Sequence, residues 1–171
     1  MSAVPSAQGY SSVASTRDYS GCGDRAAPPG TEVMELEHAI GYSGLRSSIH
    51  VLPGSSRYVS VAGGCIIIGS YEDPHDQTFL RGHDDDITCL RLSESGRYIL
   101  SGQRGHNADV CLWDSQSLEI VKRFAEHDEG IVSLDISPDD TIIASIGAER
   151  RLAFFDTSNG GIITHTPLSL I

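Results

Sequence analysis

The chain has 171 residues, 39% of them hydrophobic, which suits one domain with a buried core. Its formal net charge is −11 and Lys122 is its only lysine, so it offers no basic stripe to phosphate; this argues against nucleic acid and against anionic lipid as partners. No apolar run approaches the roughly 18 residues of a membrane span, and Met1 to Tyr10 lacks the basic start and apolar stretch of a secretory signal.

Residues 1–30 are rich in Ser, Ala, Gly and Pro and end in Ala26-Ala27-Pro28-Pro29-Gly30. With few branched apolar side chains this stretch cannot offset its ordering entropy, and it reads as a disordered tail. The sharper alternative is a tether that folds against a partner. Arg17, Asp18, Asp24 and Arg25 cancel, which leaves the whole negative balance on the remainder. From Thr31 to Gly44, Val33, Met34, Leu36 and Ile40 fit a helix as well as a strand. The position ahead of several short strands favours a strand, of the kind that completes the last sheet of a ring, with Gly41 to Gly44 as the loop into the next sheet.

Leu45 to Leu80 reads as four strands: Ile49 to Leu52, Arg57 to Ala62, Cys65 to Ser70 and Gln77 to Leu80. Pro53-Gly54-Ser55-Ser56 and Gly63-Gly64 supply the turns between the first three. His50 and His75 read as surface or loop residues.

The most regular stretch runs from Gly82-His83 to Trp113-Asp114. Ile87 to Leu92 carries apolar groups on both faces, with Ile87, Cys89 and Arg91 expected on one side and Thr88, Leu90 and Leu92 on the other. That pattern suits a strand covered on both sides. Ser93-Glu94-Ser95-Gly96 is a hairpin connection to Arg97 to Gly102, and Asp109 to Asp114 is a third strand. Leu118 to Phe124 follows as an outer strand. A further unit keeps the same order: Ile131 to Ile136, Ser137-Pro138-Asp139-Asp140, Thr141 to Ile146, Leu152 to Asp156, then Ile162 to Thr164. His83 and His127 are 44 residues apart, and Trp113 and Phe155 are 42 apart.

A Gly-His opening, a Trp-Asp close and that period are the signature of the WD40 repeat, so the fold class is an all-β, partial β-propeller of about three blades. The blades fall at about 45–80, 81–124 and 125–165, within a propeller portion 31–171. A blade is too small to bury its own faces and stacks on its neighbours. His83 can reach Ser101 and, through a turn acid or amide, link to Trp113, whose indole N–H needs an acceptor once buried. Asn107 stands where the family usually has an aspartate, Asp109 is the nearby acid that could replace it, and Asp114 closes the repeat. In the last unit Glu126-His127 replaces Gly-His, Glu149 takes the turn position, and Phe155 replaces the tryptophan. Phenylalanine offers no donor, so the polar network is expected to be lost there.

Three blades are fewer than the roughly four to eight of closed rings. The chain is therefore expected to be a fragment or truncated gene product, or to need further blades or a partner to close. Chemistry has little support. Cys22, Cys65, Cys89 and Cys111 form no CxxC pair, and no histidine or cysteine shows zinc-site spacing. Cys65, Cys89 and Cys111 read as small buried apolar groups in a reducing compartment. Asp84-Asp85-Asp86 reads as a solvated turn, and no GxSxG, phosphate-cradling loop or Cys-His signature occurs. No catalytic, metal or cofactor residue is expected.

Glu35-Leu36-Glu37, Ile40-Gly41-Tyr42-Ser43-Gly44, Phe79-Leu80-Arg81-Gly82-His83, Ser101-Gly102-Gln103 and the loop before Ala108-Asp109-Val110 add a narrower likeness. From about Glu35 to Ile171 the chain resembles the cilia- and flagella-associated WD-repeat proteins of doublet microtubules. The resemblance implies a non-enzymatic microtubule inner protein that stabilises the doublet, with tubulin and other axonemal proteins as partners. It implies residence in the cytoplasm, in the cytoskeleton of the ciliary or flagellar axoneme. It also implies a longer, two-propeller protein, of which this chain would supply less than half of one propeller. A general WD40 interaction scaffold or adaptor in a soluble complex is the alternative.

Overall fold

The computed structural model describes residues 37–41 and 43–168. The expected disordered tail over 1–30, the first part of the strand expected from Thr31, and Cys22 lie outside the described residues. The described part of that expected strand does not form one. Residues 37–40 carry no strand, and Gly44, with a φ of 72°, lies in the segment expected as a loop. The N–H of Ala39 donates to Gln77 Oε1 at 3.0 Å, and its C=O accepts from Gln77 Nε2 at 3.4 Å, so a side chain takes the bonds a neighbouring strand would have taken.

Among the described residues every regular element is a strand. The first sheet holds β1 (His50–Val51), β2 (Arg57–Ala62), β3 (Cys65–Ser70) and β4 (Gln77–Arg81). The second holds β5 (Ile87–Leu92), β6 (Tyr98–Gln103), β7 (Ala108–Asp114) and β8 (Ile120–His127). The third holds β9 (Ile131–Ile136), β10 (Ile142–Gly147), β11 (Arg151–Asp156) and β12 (Ile162–Pro167). Each is an antiparallel meander in chain order.

One turn design recurs between the first two strands of each sheet. The N–H of Leu52 donates to Arg57 O, that of Ser93 to Tyr98 O, and that of Ser137 to Ile142 O, at 2.8–2.9 Å. The N–H groups of Ser55, Gly96 and Asp140 bond back to Leu52, Ser93 and Ser137. Gly96 supplies the positive φ (74°) without strain, and Asp140 adopts 58° in its place. These bonds put Leu52, Ser93 and Ser137 at one structural position.

The strand pleat divides the core into two layers. Ile99, Cys111 and Trp113 of the second sheet point to the first sheet and pack with Val59, Val61, Ile66, Ile68 and Leu80. Leu100, Val110 and Leu112 point the other way and pack with Ile131, Leu134, Ile143, Ala153 and Phe155 of the third. A strand buried on both faces must be apolar at consecutive positions, as Val110 to Trp113 is. Each fully buried side chain contributes on the order of 1.5–3 kcal/mol.

The faces expected for Ile87 to Leu92 need correction. A β-bulge falls between Ile87 and Cys89, and the extra residue shifts the alternation. Ile87, Leu90 and Leu92 therefore share the first core layer, and Cys89 packs into the second.

Side chains also tie the second sheet to the third. Thr88 Oγ1 donates to Ile131 O at 2.5 Å, Ser95 Oγ to Asp140 Oδ2 at 2.5 Å, and Lys122 Nζ to Ser158 O at 2.6 Å. Arg91 pairs with Asp135 at 3.4 Å. Gly102 is required by this approach, because a Cβ there would lie 2.7 Å from Ile131 Cβ. The sheets come nearest along β5 and β9 and do not close on one another, so the fold is a partial propeller.

Candidate functional site

The loop from β4 to β5 brings Gly82-His83 against β6 and β7. A side chain at 82 would collide with Trp113 Cη2 (2.8 Å) and Ile120 Cδ1 (2.7 Å), and the Gly82 carbonyl accepts from Arg123 Nη2 at 2.7 Å. His83 Nε2 lies 2.6 Å from Ser101 Oγ, and Trp113 Nε1 donates to the same oxygen at 2.8 Å. His83 Nδ1 lies 2.8 Å from Gln103 Oε1, and Gln103 Nε2 donates to Asp84 Oδ1 at 2.6 Å.

These bonds fix a single direction of donation. Gln103 Oε1 can only accept, so His83 carries its proton on Nδ1. Nε2 then accepts from the Ser101 hydroxyl, whose oxygen accepts from the indole. Burial lowers the His83 pKa, which suits a neutral ring.

The structure thus joins His83, Ser101 and Trp113 and leaves out two residues expected to link them. Asn107 is exposed in left-handed backbone (φ 54°), where asparagine is tolerated, and its N–H donates to Asp128 O. Asp109 pairs with Arg123 at 3.5 Å, and burial pushes its carboxyl up. Gln103 holds the linking position. It follows Ser101 by two residues, so the strand period puts both on one face of β6, and that parity was the signal available in the sequence. Asp114 shapes the turn after β7. Its Oδ1 accepts from the N–H groups of Gln116 (2.8 Å) and Ser117 (3.0 Å), which hold its carboxyl below the usual range.

The third sheet keeps a network that was expected to be lost. His127 Nε2 lies 2.6 Å from Ser145 Oγ, and Nδ1 lies 2.5 Å from Glu149 Oε1. Glu149 reaches the ring from the β10–β11 turn because the position matching Gln103 is Gly147, and a Cβ there would overlap the Glu149 carboxylate. What the sheet lacks is the indole donor. Phe155 instead packs on Phe124, ring centroids 4.7 Å apart. Burial, the largest single influence, would raise the Glu149 pKa, but the bond from His127, a backbone hydrogen bond and nearby Arg151 together outweigh it and the carboxyl is held low.

Ser145, His127 and Glu149 stand in the order of a nucleophile, a base and its orienter. Ser145 and His127 are buried, however, and Ser101 is wholly covered, so these hydroxyls meet no substrate. Burial also pushes the Cys89 thiol up to about 11 and that of Cys111 up to about 12, far from thiolate chemistry. The arrangement fastens loops and turns to strands.

The family model described as "WD domain, G-beta repeat" matches residues 75–114 and 118–156. Each match takes the last strand of one sheet and the first three of the next (β4 to β7, then β8 to β11), so repeat and sheet are one strand out of step. The chain is 34% identical over 142 residues to cilia- and flagella-associated protein 52 of Chlamydomonas reinhardtii, covering 80% of this chain and 23% of that protein. It is 34% identical over 134 residues to the Homo sapiens protein of the same name, covering 72% and 21%. To WD repeat-containing protein 90 of Mus musculus it is 25% identical over 150 residues, covering 82% and 8%. The chain thus spans about a fifth to a quarter of the length of the first two of these relatives.

Proposed function

Because this chain belongs to the WD40-repeat proteins, we propose that it serves as a non-enzymatic structural protein of the cilium or flagellum, a microtubule inner protein that stabilises axonemal doublets. The observation that carries this reading is the similarity to proteins named as cilia- and flagella-associated, which extends over most of the chain. The buried hydroxyls and raised thiols support a structural rather than a chemical role. On this reading 31–171 is the propeller portion, 1–30 is a tail, and tubulin and other axonemal proteins are the partners. The net charge of −11 opposes electrostatic capture by an acidic surface, so docking rests on shape and on specific contacts.

A fluorescently tagged chain expressed in ciliated cells is expected to line the axoneme along its length. Uniform cytoplasmic signal with none in the cilium would overturn the proposal and favour a WD40 adaptor of a soluble complex.

A further inference from the structure

The turn between β11 and β12 carries a reactive pair that the histidine networks do not use. Asn159-Gly160 is the single Asn-Gly or Asp-Gly step in the sequence. An asparagine side chain can close a five-membered ring on the backbone nitrogen of the next residue, and a glycine there has no Cβ to obstruct the closure. Asn159 and Gly161 are exposed and Gly160 is half-buried, on a turn at the outer edge of its sheet.

The turn copies the one after β7. Asp156 Oδ1 accepts from the N–H groups of Ser158 (2.7 Å) and Asn159 (3.4 Å), as Asp114 Oδ1 does from Gln116 and Ser117. The N–H of Gly160 donates to Asp156 O, and that of Leu118 to Asp114 O, each at 2.9 Å. Gly160 and Leu118 both hold left-handed backbone, with φ of 74° and 63°. A Ser-Leu step therefore builds the same turn, and Asn159-Gly160 adds a chemistry that the fold does not require.

Three contacts bear on that chemistry. The N–H of Gly161 donates to Asn159 Oδ1 at 2.6 Å, which steadies the oxygen that takes up negative charge when Cγ is attacked. Asn159 Nδ2 donates to Asp156 Oδ2 at 3.2 Å, so the nitrogen that must leave sits beside a carboxylate that favours it as ammonium. The Gly160 N–H is tied to one carbonyl, so local opening of a single hydrogen bond releases the attacking nitrogen. The other asparagine has no such setting: Asn107 precedes Ala108, which is wholly buried and paired with His127.

We propose that Asn159 is a site of spontaneous deamidation in the folded chain. The Gly160 nitrogen gives up its proton to water or hydroxide and bonds to Asn159 Cγ. The Cγ–Nδ2 bond breaks, Nδ2 takes up a proton and leaves as ammonia, and a cyclic imide remains. Water then opens the imide, at the side-chain carbonyl to give aspartate or at the main-chain carbonyl to give isoaspartate. In sum, an amide and water become an acid and ammonia. Either product replaces a donor to Asp156 by a negative charge. Isoaspartate also lengthens the main chain of the turn by a methylene, which draws the Ser158 carbonyl from Lys122 and weakens a tie between the second and third sheets.

The test holds the full chain at physiological temperature and mildly alkaline pH, beside a second sample in urea. Both are then digested and read by mass spectrometry and by labelling with a protein isoaspartyl methyltransferase. The expected result for the folded chain is aspartate and isoaspartate accumulating at 159 and not at 107. The rate is expected to rise about tenfold per pH unit, because the attacking nitrogen must lose its proton. Gly160→Leu, which copies the Leu118 turn, is expected to slow the conversion about tenfold or more while the circular dichroism spectrum stays native. A folded chain that does not convert overturns the proposal, whether or not the urea sample does. Conversion that Gly160→Leu leaves unchanged overturns it as well.

Discussion

Trp113→Ala is expected to lower the unfolding free energy by about 3–5 kcal/mol, read from urea denaturation followed by circular dichroism. Trp113 is 2% exposed and packs in the layer between the first and second sheets. Its ring lies under Gly82, where a Cβ would come within 2.8 Å of it, so truncation leaves a cavity beneath a loop that cannot collapse without moving His83. The loss also frees Ser101 Oγ from the indole donor. Against a total stability of about 5–15 kcal/mol, this brings the chain close to unfolding. Trp113→Phe separates the two contributions. It keeps most of the volume, as Phe155 does in the third sheet, and removes the hydrogen bond, with an expected cost of about 1 kcal/mol. A change within the roughly 0.5 kcal/mol typical of surface sites would mean that the indole bond contributes nothing.

His127→Ala is the second large effect, with an expected loss of about 2–4 kcal/mol. The side chain is 0% exposed and joins Ser145 to Glu149, whose own side chain is 14% exposed. Removing the ring strands a buried hydroxyl and a mostly buried carboxylate. Glu149 Oε2 already lacks a hydrogen-bond partner, so losing the ring removes the carboxylate's side-chain hydrogen bond at Oε1.

The same network sets a pH dependence. Glu149 has its folded pKa held below the usual 4.5: burial, the largest single influence, pushes it up, and the bond from His127, a backbone hydrogen bond and nearby Arg151 together bring it down. Its contribution is present above 4.5 and is lost as the pH falls through the lower folded value. His83 acts in a higher window. Burial lowers its pKa from 6.5, so the unfolded chain takes up the proton first and stability declines as the pH drops below 6.5. Urea midpoints measured across both windows are expected to fall in two steps for the native chain. Glu149→Gln is expected to flatten the lower step and leave the upper one. If Glu149→Gln left both steps as they were, the His127–Glu149 bond would not be a source of acid sensitivity.

The strands were readable because their faces and turns are chemically explicit. The run Val110-Cys111-Leu112-Trp113 has apolar groups at every position, which only burial on both sides rewards, and the Gly and Asp residues of the turns mark the breaks. His83, Ser101 and Trp113 were readable from their types and spacing. Gln103 was not, because Asn107 and Asp109 were sought by distance from the tryptophan along a loop. The geometry is set instead by strand parity from Ser101. The third network went unread for a related reason. Losing the indole removes one donor, whereas the histidine–serine–acid bonds depend on Glu149 finding room above Gly147, a steric fact of the folded turn. The β5 faces were misassigned because a bulge leaves no mark in the apolar pattern. Residues 37–40 lost their expected strand to the side chain of Gln77, which bonds Ala39 from 38 residues away in sequence.

The most direct test of the account is extraction of ciliated cells with detergent and high salt, followed by mass analysis of this protein in the soluble and doublet-microtubule fractions. A protein held inside doublets by shape and specific contacts is expected to stay with the doublets after both treatments. Its release into the soluble fraction would contradict the proposed function.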